Sequence, residues 1–282
     1  MISNLKKESL FLHLILSFNL LALAGCSPSS STSSTANIGA GIISGAQVTN
    51  ADDFRSHIVA VYDEGTHSLC TGTLIRQDLV LTAAHCVDGS PTANSFKIFL
   101  GLNLNDYRQR KDIQVETIVI HGGYKKASTD VANDVALIKM VSPAPAPYKP
   151  ASIALITDNF EDPSNQYLAS GYGITGTESK DSGTLRKLQV LGKNLAMSGK
   201  GALIAINASE DGGPCSGDSG GPLFKVMKST NGETKYAVLG VTSVVSQFIW
   251  NGAKTNEFCK GISFYTSVPM FSPWIKTNAA KL

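Results

Sequence analysis

Three things are scarce in this sequence, and each scarcity removes a class of function. No apolar run reaches the ~20 residues that a membrane-spanning helix needs. No C-x-x-C pair occurs, which speaks against a four-thiolate zinc site. Basic residues barely exceed acidic ones, 24 Lys and Arg against 22 Asp and Glu, and the densest cationic stretch is the short Arg108 to Lys111 run, so no nucleic-acid partner is expected. What is present is ample apolar content, 43% over 282 residues, enough for one large domain or two medium ones and incompatible with disorder for the bulk of the chain.

The first residues carry Lys6 and Lys7 ahead of an apolar stretch from Leu10 to Ala24, the form of an export signal. The stretch ends in Leu23-Ala24-Gly25-Cys26, which resembles the bacterial lipoprotein signal. That resemblance implies removal of residues 1–25, lipidation of Cys26, and, with Ser27 rather than Asp following, an outer-membrane destination. Ser, Thr and Pro dominate Ser27 to Thr35, a composition that cannot bury a core, so residues 26–41 are expected to be the lipid-attachment residue, a tether and a propeptide. The expectation is an exported precursor anchored to the membrane, with a mature domain that is periplasmic or extracellular.

Export changes the reading of the remaining cysteines. Cys70, Cys86, Cys215 and Cys259 are even in number and belong in an oxidising compartment, where disulfides form; the sequence alone leaves three pairings open.

From Ile42 onward, short apolar, β-branched runs alternate with turns. They are Ile58 to Tyr62, Leu79 to Thr82, Phe96 to Leu100, Val115 to Ile120 and Val135 to Met140, then Tyr167 to Ala169, Leu185 to Leu191, Pro222 to Val226, Tyr236 to Val245 and Ile262 to Thr266. This pattern predicts an all-β antiparallel protein. Repeated prolines between Pro143 and Pro150 cannot supply the N–H groups of a central strand and mark a boundary between two halves. Val268 to Thr277 is the best helix candidate, with Met270, Trp274 and Ile275 spaced to share a side.

The stretch D-G-G-P-C-S-G-D-S-G-G-P, from Asp211 to Pro222, surrounds Ser219 with glycines that can turn several backbone N–H groups toward one spot. Upstream, His85 follows an apolar strand in T-A-A-H-C, and Asp134 opens another in N-D-V-A-L-I. A hydroxyl that is a weak nucleophile, an imidazole that can take and return its proton, and a carboxylate that fixes the imidazole tautomer form the chemical set for acyl transfer.

The T-A-A-H-C block with His85, the N-D-V-A-L block with Asp134 and G-D-S-G-G-P from Gly217 to Pro222, in that order, resemble the trypsin and chymotrypsin family of serine endopeptidases from Ile42 to about Lys276. The resemblance implies two antiparallel six-stranded β-barrels, about residues 42–147 and 148–266, with a C-terminal helix at about 268–277 inside a protease domain 42–282. It implies a catalytic set of His85, Asp134 and Ser219, and an oxyanion hole formed by the N–H groups of Gly217 and Ser219. The implied disulfides are Cys70–Cys86 and Cys215–Cys259. It further implies a zymogen cut between Gly41 and Ile42 by an unidentified protease, after which the Ile42 ammonium pairs with Asp218. Gly41 in place of Lys or Arg argues against a trypsin-like activator.

For substrate selection, the family's pocket residues map onto Gly213, Pro214, Ser216, Ser243, Val244, Val245 and Ser263. Gly213 stands where a carboxylate would select Lys or Arg, and Asp211 is out of register. Val245 narrows a wall that is glycine in deep-pocketed members, so small or medium aliphatic P1 side chains are expected. Residues 246–258, with Phe248, Ile249 and Trp250, form an insertion that could rebuild the pocket or pack over it. Tyr172 replaces the tryptophan of a G-W-G segment. The loop carrying Asp106 and Asp112 lacks two glutamates found at the family's calcium positions, so no metal and no cofactor are expected. The competing reading is a catalytically silent binding protein on the same fold; the complete His, Asp and Ser set favours an enzyme acting on peptides or proteins, and the mature domain is expected to be a monomer.

Overall fold

A computed structural model of the chain describes residues 42–125, 133–155, 162–198, 201–208, 212–249 and 252–282, all within one compact unit. The described chain opens on a two-residue strand, β1 (Ala46–Gln47). It then rolls β2 (Ile58–Asp63), β3 (Ser68–Arg76), β4 (Leu79–Thr82), β5 (Phe96–Leu100), β6 (Lys111–Ile120) and β7 (Ala136–Met140) into a closed antiparallel barrel, in the cyclic order β2-β3-β4-β7-β6-β5.

Residue type explains the roll. β6 alternates Ile113 and Val115, buried, with Gln114 and Glu116, exposed, as expected of a strand with one face on a core. In β2 the four residues Ile58 to Val61 are buried on both faces, because the outer face packs against the second half of the molecule. Each Ile or Val side chain so buried contributes about 1.5–3 kcal/mol.

The second half contains β8 (Ser152–Ile153), β9 (Gln166–Gly171), β10 (Arg186–Leu191), β11 (Leu195–Ser198), β12 (Leu203–Asn207), β13 (Pro222–Lys228), β14 (Thr234–Val245) and β15 (Ile262–Ser267). Its sheet runs β1-β10-β9-β13-β14-β15-β12-β11, with β8 parallel to β14. The expectation of two six-stranded barrels is therefore corrected: one barrel is closed and the second sheet is open. The outer edge of β10 is taken by β1, through Ala46 opposite Lys187 and Gln47 opposite Arg186. The tight turn Gly192–Asn194 then carries the chain from β10 to β11 with no ladder between them among the described residues.

The proline-rich stretch does run between the two sheets, and its hydrogen bonds come from the residues between the prolines. Ala144 N–H donates to Gln77 O at 2.7 Å and Ala151 N–H to Leu74 O at 2.8 Å, strapping the crossing onto the end of β3. The chain closes with α1 (Val268–Ala279). Its buried face is Val268, Phe271, Ser272 and Ile275, the i, i+3, i+4, i+7 set, whereas Met270 is exposed; the expected grouping of Met270 with Ile275 is wrong by one helical face. Phe271 and Ile275 join Val238 and Val241 of β14 and the barrel side chains in one continuous core.

Candidate active site

Strand pairing brings the first two residues together. β4 and β7 are antiparallel with Thr82 opposite Ala136, so the chain emerging from β4 and the chain entering β7 pass the same end of the barrel. His85 lies three residues beyond Thr82, on the single 3-10 turn Ala84–Cys86, and Asp134 two residues before Ala136. A disulfide from Cys86 to Cys70 on β3, with Cα atoms 6.0 Å apart, pins that turn to the barrel wall.

Asp134 is 4% exposed and accepts three hydrogen bonds. His85 N–H reaches Oδ1 at 3.0 Å, His85 Nδ1 lies 2.7 Å from Oδ2, and the Ser243 hydroxyl donates to the same Oδ2 at 2.6 Å. Burial alone would push the Asp134 pKa up. The His85 ring, the Ser243 hydroxyl and the His85 N–H outweigh it and hold the carboxyl below its ordinary value, so it stays an anion at neutral pH. An anion facing Nδ1 selects the imidazole tautomer protonated there, which leaves the Nε2 lone pair available as a base. Thr266 Oγ1 donates to Asp134 O at 3.0 Å and secures the backbone as well. The His85 side chain is 34% exposed, so one ring edge is open to a substrate.

Ser219 sits half-buried in the turn between the Cys215–Cys259 disulfide and β13. Asp218 N–H donates to Cys215 O at 3.0 Å and Gly221 N–H to Asp218 O at 2.9 Å, folding the turn tightly. Gly217 and Gly220 have φ of 99° and 79°, a region that disfavours side chains. At Gly220 a β-carbon would also lie 2.1 Å from Thr82 Oγ1 and 3.1 Å from Ala83 N. The serine turn is therefore seated on the very strand end that leads into His85, and only glycine permits the approach.

Asp218 is 1% exposed. It accepts Gly173 N–H at 2.8 Å and Cys215 N–H at 2.9 Å. Burial raises its pKa to about 7 despite those two donors and the charge of nearby Arg186. The segment that follows Gly41 is buried close by: Ile42 is 1% exposed, and Ile43 N–H donates to Gly213 O at 2.9 Å on the loop leading to Asp218.

The remaining sequence-selected residues lie on β14, on β15 and in the loop before Ser219. Val245 on β14 is opposite Ser263 on β15, and Ser263 is fully buried with its hydroxyl making no hydrogen bond. Gly213 packs so closely that a β-carbon there would lie 2.5 Å from Ala208 Cβ and 3.1 Å from Ser263 Oγ. Pro214 is buried, Ser216 exposed, and Val244 is 37% exposed. Asp211 and Trp250, singled out in the sequence, lie outside the described residues. Ser243, expected as a pocket residue, also aims its hydroxyl at Asp134.

Sequence reasoning passed over Thr71, Thr266 and Arg186. A threonine in a strand carries no signal of its own, although Thr71 directly follows Cys70 and so was bound to lie near His85 once that disulfide was drawn. Cys70, His85 and Cys86 also cluster closely enough to suggest metal ligands, but the two sulfurs are bonded to each other and present no thiolate.

A barrel packed on an open antiparallel sheet, with a histidine and buried carboxylate at the barrel's end and a glycine-rich serine turn laid against them, is an architecture suited to nucleophilic acyl transfer. Comparison with known proteins agrees: residues 42–275 match the trypsin family model. The chain is 31% identical over 229 residues to chymotrypsin-like elastase family member 1 of Canis lupus familiaris, covering 75% of this chain and 81% of that protein. It is 29% identical over 243 residues to the Bos taurus protein of that name, covering 79% and 86%, and 29% identical over 236 residues to the Homo sapiens one, covering 77% and 86%. The chain belongs to the trypsin family. It is a serine endopeptidase of the trypsin and chymotrypsin type.

The same comparisons correct the reading of the N-terminal region. The relatives are mammalian elastase-family proteins and the family match opens at Ile42, beyond Cys26. A bacterial lipoprotein precursor, a lipid anchor at Cys26 and an outer-membrane or periplasmic location are therefore set aside. The short apolar run and small residues before Cys26 imitate that signal without the relatives to support it.

Proposed function

We propose that Ser219 is the nucleophile, His85 its general base and then the acid for the leaving amine, and Asp134 the group that fixes the His85 tautomer and stabilises imidazolium. The observation that carries this reading is the seating of the serine turn on the Thr82–Ala83 strand end, beside a histidine already hydrogen-bonded twice to a buried carboxylate. The N–H groups of Gly217 and Ser219 are assigned to the oxyanion of the tetrahedral intermediate, where loss of one donor costs about 2.7–4 kcal/mol in a related type of site.

The protease domain is assigned to residues 42–282, made as an exported zymogen behind the apolar run Leu10 to Ala24. Cleavage between Gly41 and Ile42 gives an ammonium that pairs with Asp218. Burial of Ile42, and the Ile43 bond to Gly213 on the loop leading to Asp218, support that pairing. The P1 preference is small or medium aliphatic. The relatives bear the name elastase, and the residues assigned to the pocket, Val245 opposite Ser263 with Gly213 packed close to Ser263, carry no charge.

The test is direct. The chain beginning at Ile42 is incubated with a peptide library and with a serine-directed phosphonate. Cleavage after Ala or Val together with one phosphonate on Ser219 is expected, both abolished in a folded Ser219→Ala variant. Labelling elsewhere, or no turnover by the folded native chain, overturns the assignment, and dominant cleavage after Lys or Arg overturns the pocket reading.

A further inference from the structure

Thr71 is fully buried on β3, and all its hydrogen-bonding groups are spent on the catalytic apparatus. Its N–H donates to Ser219 O at 2.8 Å. Its hydroxyl donates to Gly217 O at 2.9 Å and accepts from Tyr172 N–H at 3.1 Å. Its own carbonyl accepts the Thr82 hydroxyl at 2.9 Å, on the strand that continues into His85. One residue thus joins the histidine strand, through its carbonyl, to the serine turn and the Tyr172 segment, through its N–H and hydroxyl.

We infer that Thr71 is a positioning residue for the oxyanion site, acting by fixing the two carbonyls that flank Asp218. Gly217, with φ of 99° and no β-carbon, has little steric restraint on the direction of its carbonyl. If that carbonyl swings, the neighbouring peptide planes turn with it, and the Gly217 N–H leaves the direction in which the oxyanion forms. The Thr71 hydroxyl supplies the restraint that sterics do not. A donor that must be re-aimed during reaction contributes less than one held in place, so the loss falls on the transition state and not on ground-state binding.

This inference rests on the Ser219 reading above, and the experiment separates the two. Thr71→Val keeps the backbone N–H and the shape while removing both hydroxyl bonds; Thr71→Ser keeps the hydroxyl and drops the methyl. Activated enzymes are compared for kcat and KM on one aliphatic peptide, with concentrations normalised to phosphonate-titrated serine. They are also compared for affinity toward a peptide boronate, which forms a tetrahedral adduct, and toward a product peptide, which does not. Thr71→Val is expected to lose roughly 10- to 100-fold in kcat and a similar factor in boronate affinity, with KM and product affinity nearly unchanged. Thr71→Ser is expected to stay within about threefold of the native enzyme on both measures. Should the valine variant not fold, the serine variant decides: retained activity supports the hydroxyl's role, and a loss of tenfold or more overturns it. A folded Thr71→Val enzyme with native kcat and boronate affinity, or one whose loss lies in KM alone, overturns the inference while leaving the Ser219 reading intact. A native enzyme that neither turns over nor labels overturns both.

Discussion

Asp134 is tied twice to the single residue His85, through the backbone N–H to Oδ1 at 3.0 Å and through the ring Nδ1 to Oδ2 at 2.7 Å. The double tie means that the carboxylate positions the imidazole's whole residue and not only its ring. Asp134→Asn keeps size and burial but offers an amide N–H where the anion stood, favouring the tautomer with its proton on Nε2. The expected outcome is a drop in kcat of about 10⁴-fold with the fold intact, the magnitude known for this change in a triad of this type. Steady-state kinetics beside a thermal melt checks it; a variant within tenfold of native activity would show that His85 does not depend on Asp134.

The second donor to Oδ2 is the Ser243 hydroxyl at 2.6 Å, buried with its acceptor. Ser243→Ala removes one of the bonds that hold the Asp134 carboxyl below its ordinary pKa. A hydrogen bond to a charged group is worth about 1.5–3 kcal/mol, so kcat/KM should fall roughly 10- to 100-fold, with part of the loss in stability. The combined Ser243→Ala, Asp134→Asn enzyme should be little worse than Asp134→Asn alone, because both changes act on one bond network. Strict additivity in that cycle would place the serine's effect elsewhere.

In the proposed pocket, Val245, opposite Ser263, limits the width and Gly213 forms the base. Val245→Gly removes the branched wall and should open the site to larger P1 side chains. The expected result is a rise in kcat/KM for Phe or Tyr at P1 of roughly tenfold relative to Ala or Val, consistent with the few kcal/mol that pocket shape commands. An unchanged preference would show that Val245 does not set the P1 size limit.

The parts legible in the sequence were those whose physics is local. Ten apolar runs all fall on strands, because a β-branched run bounded by turn residues has few other stable uses. β3 escaped notice: Ser68-Leu69-Cys70-Thr71-Gly72-Thr73 has no apolar run, and the strand is fixed by β2 and β4 paired along its two edges. Barrel closure was equally invisible, since whether β10 meets β11 or β1 is settled by two residues, Ala46 and Gln47, with no strand pattern of their own. His85, Asp134 and the Ser219 turn announced themselves through residue types that a loop rarely combines. Thr71 and Thr266 did not, because a buried threonine is ordinary until its hydroxyl's partner is known.

Asp218 connects cleavage to pH. In the chain still continuous through Gly41, burial places its pKa at about 7, above the ~3.9 of an unfolded aspartate. Below about pH 4 folded and unfolded chains both hold the proton and the group is neutral to stability. Between about 4 and 7 the unfolded chain releases the proton while the folded chain keeps it, so stability falls as pH rises, and above about 7 the loss is complete. The loss is on the order of a few kcal/mol. In the proposed pairing, an ammonium freed at Ile42 favours the ionised carboxylate, lowers its folded pKa and removes this slope until the α-amine itself titrates near pH 8. Denaturant melts across pH 4 to 9, in a Ser219→Ala background that prevents self-cleavage, compare three proteins: the uncleaved chain, the chain beginning at Ile42, and the uncleaved Asp218→Asn variant. The uncleaved chain alone should lose stability between about pH 4 and 7, and the cleaved chain should exceed it most near neutrality. Parallel profiles for the cleaved and uncleaved chains would break the link between Ile42 and Asp218, and a slope surviving in Asp218→Asn would assign it to another group.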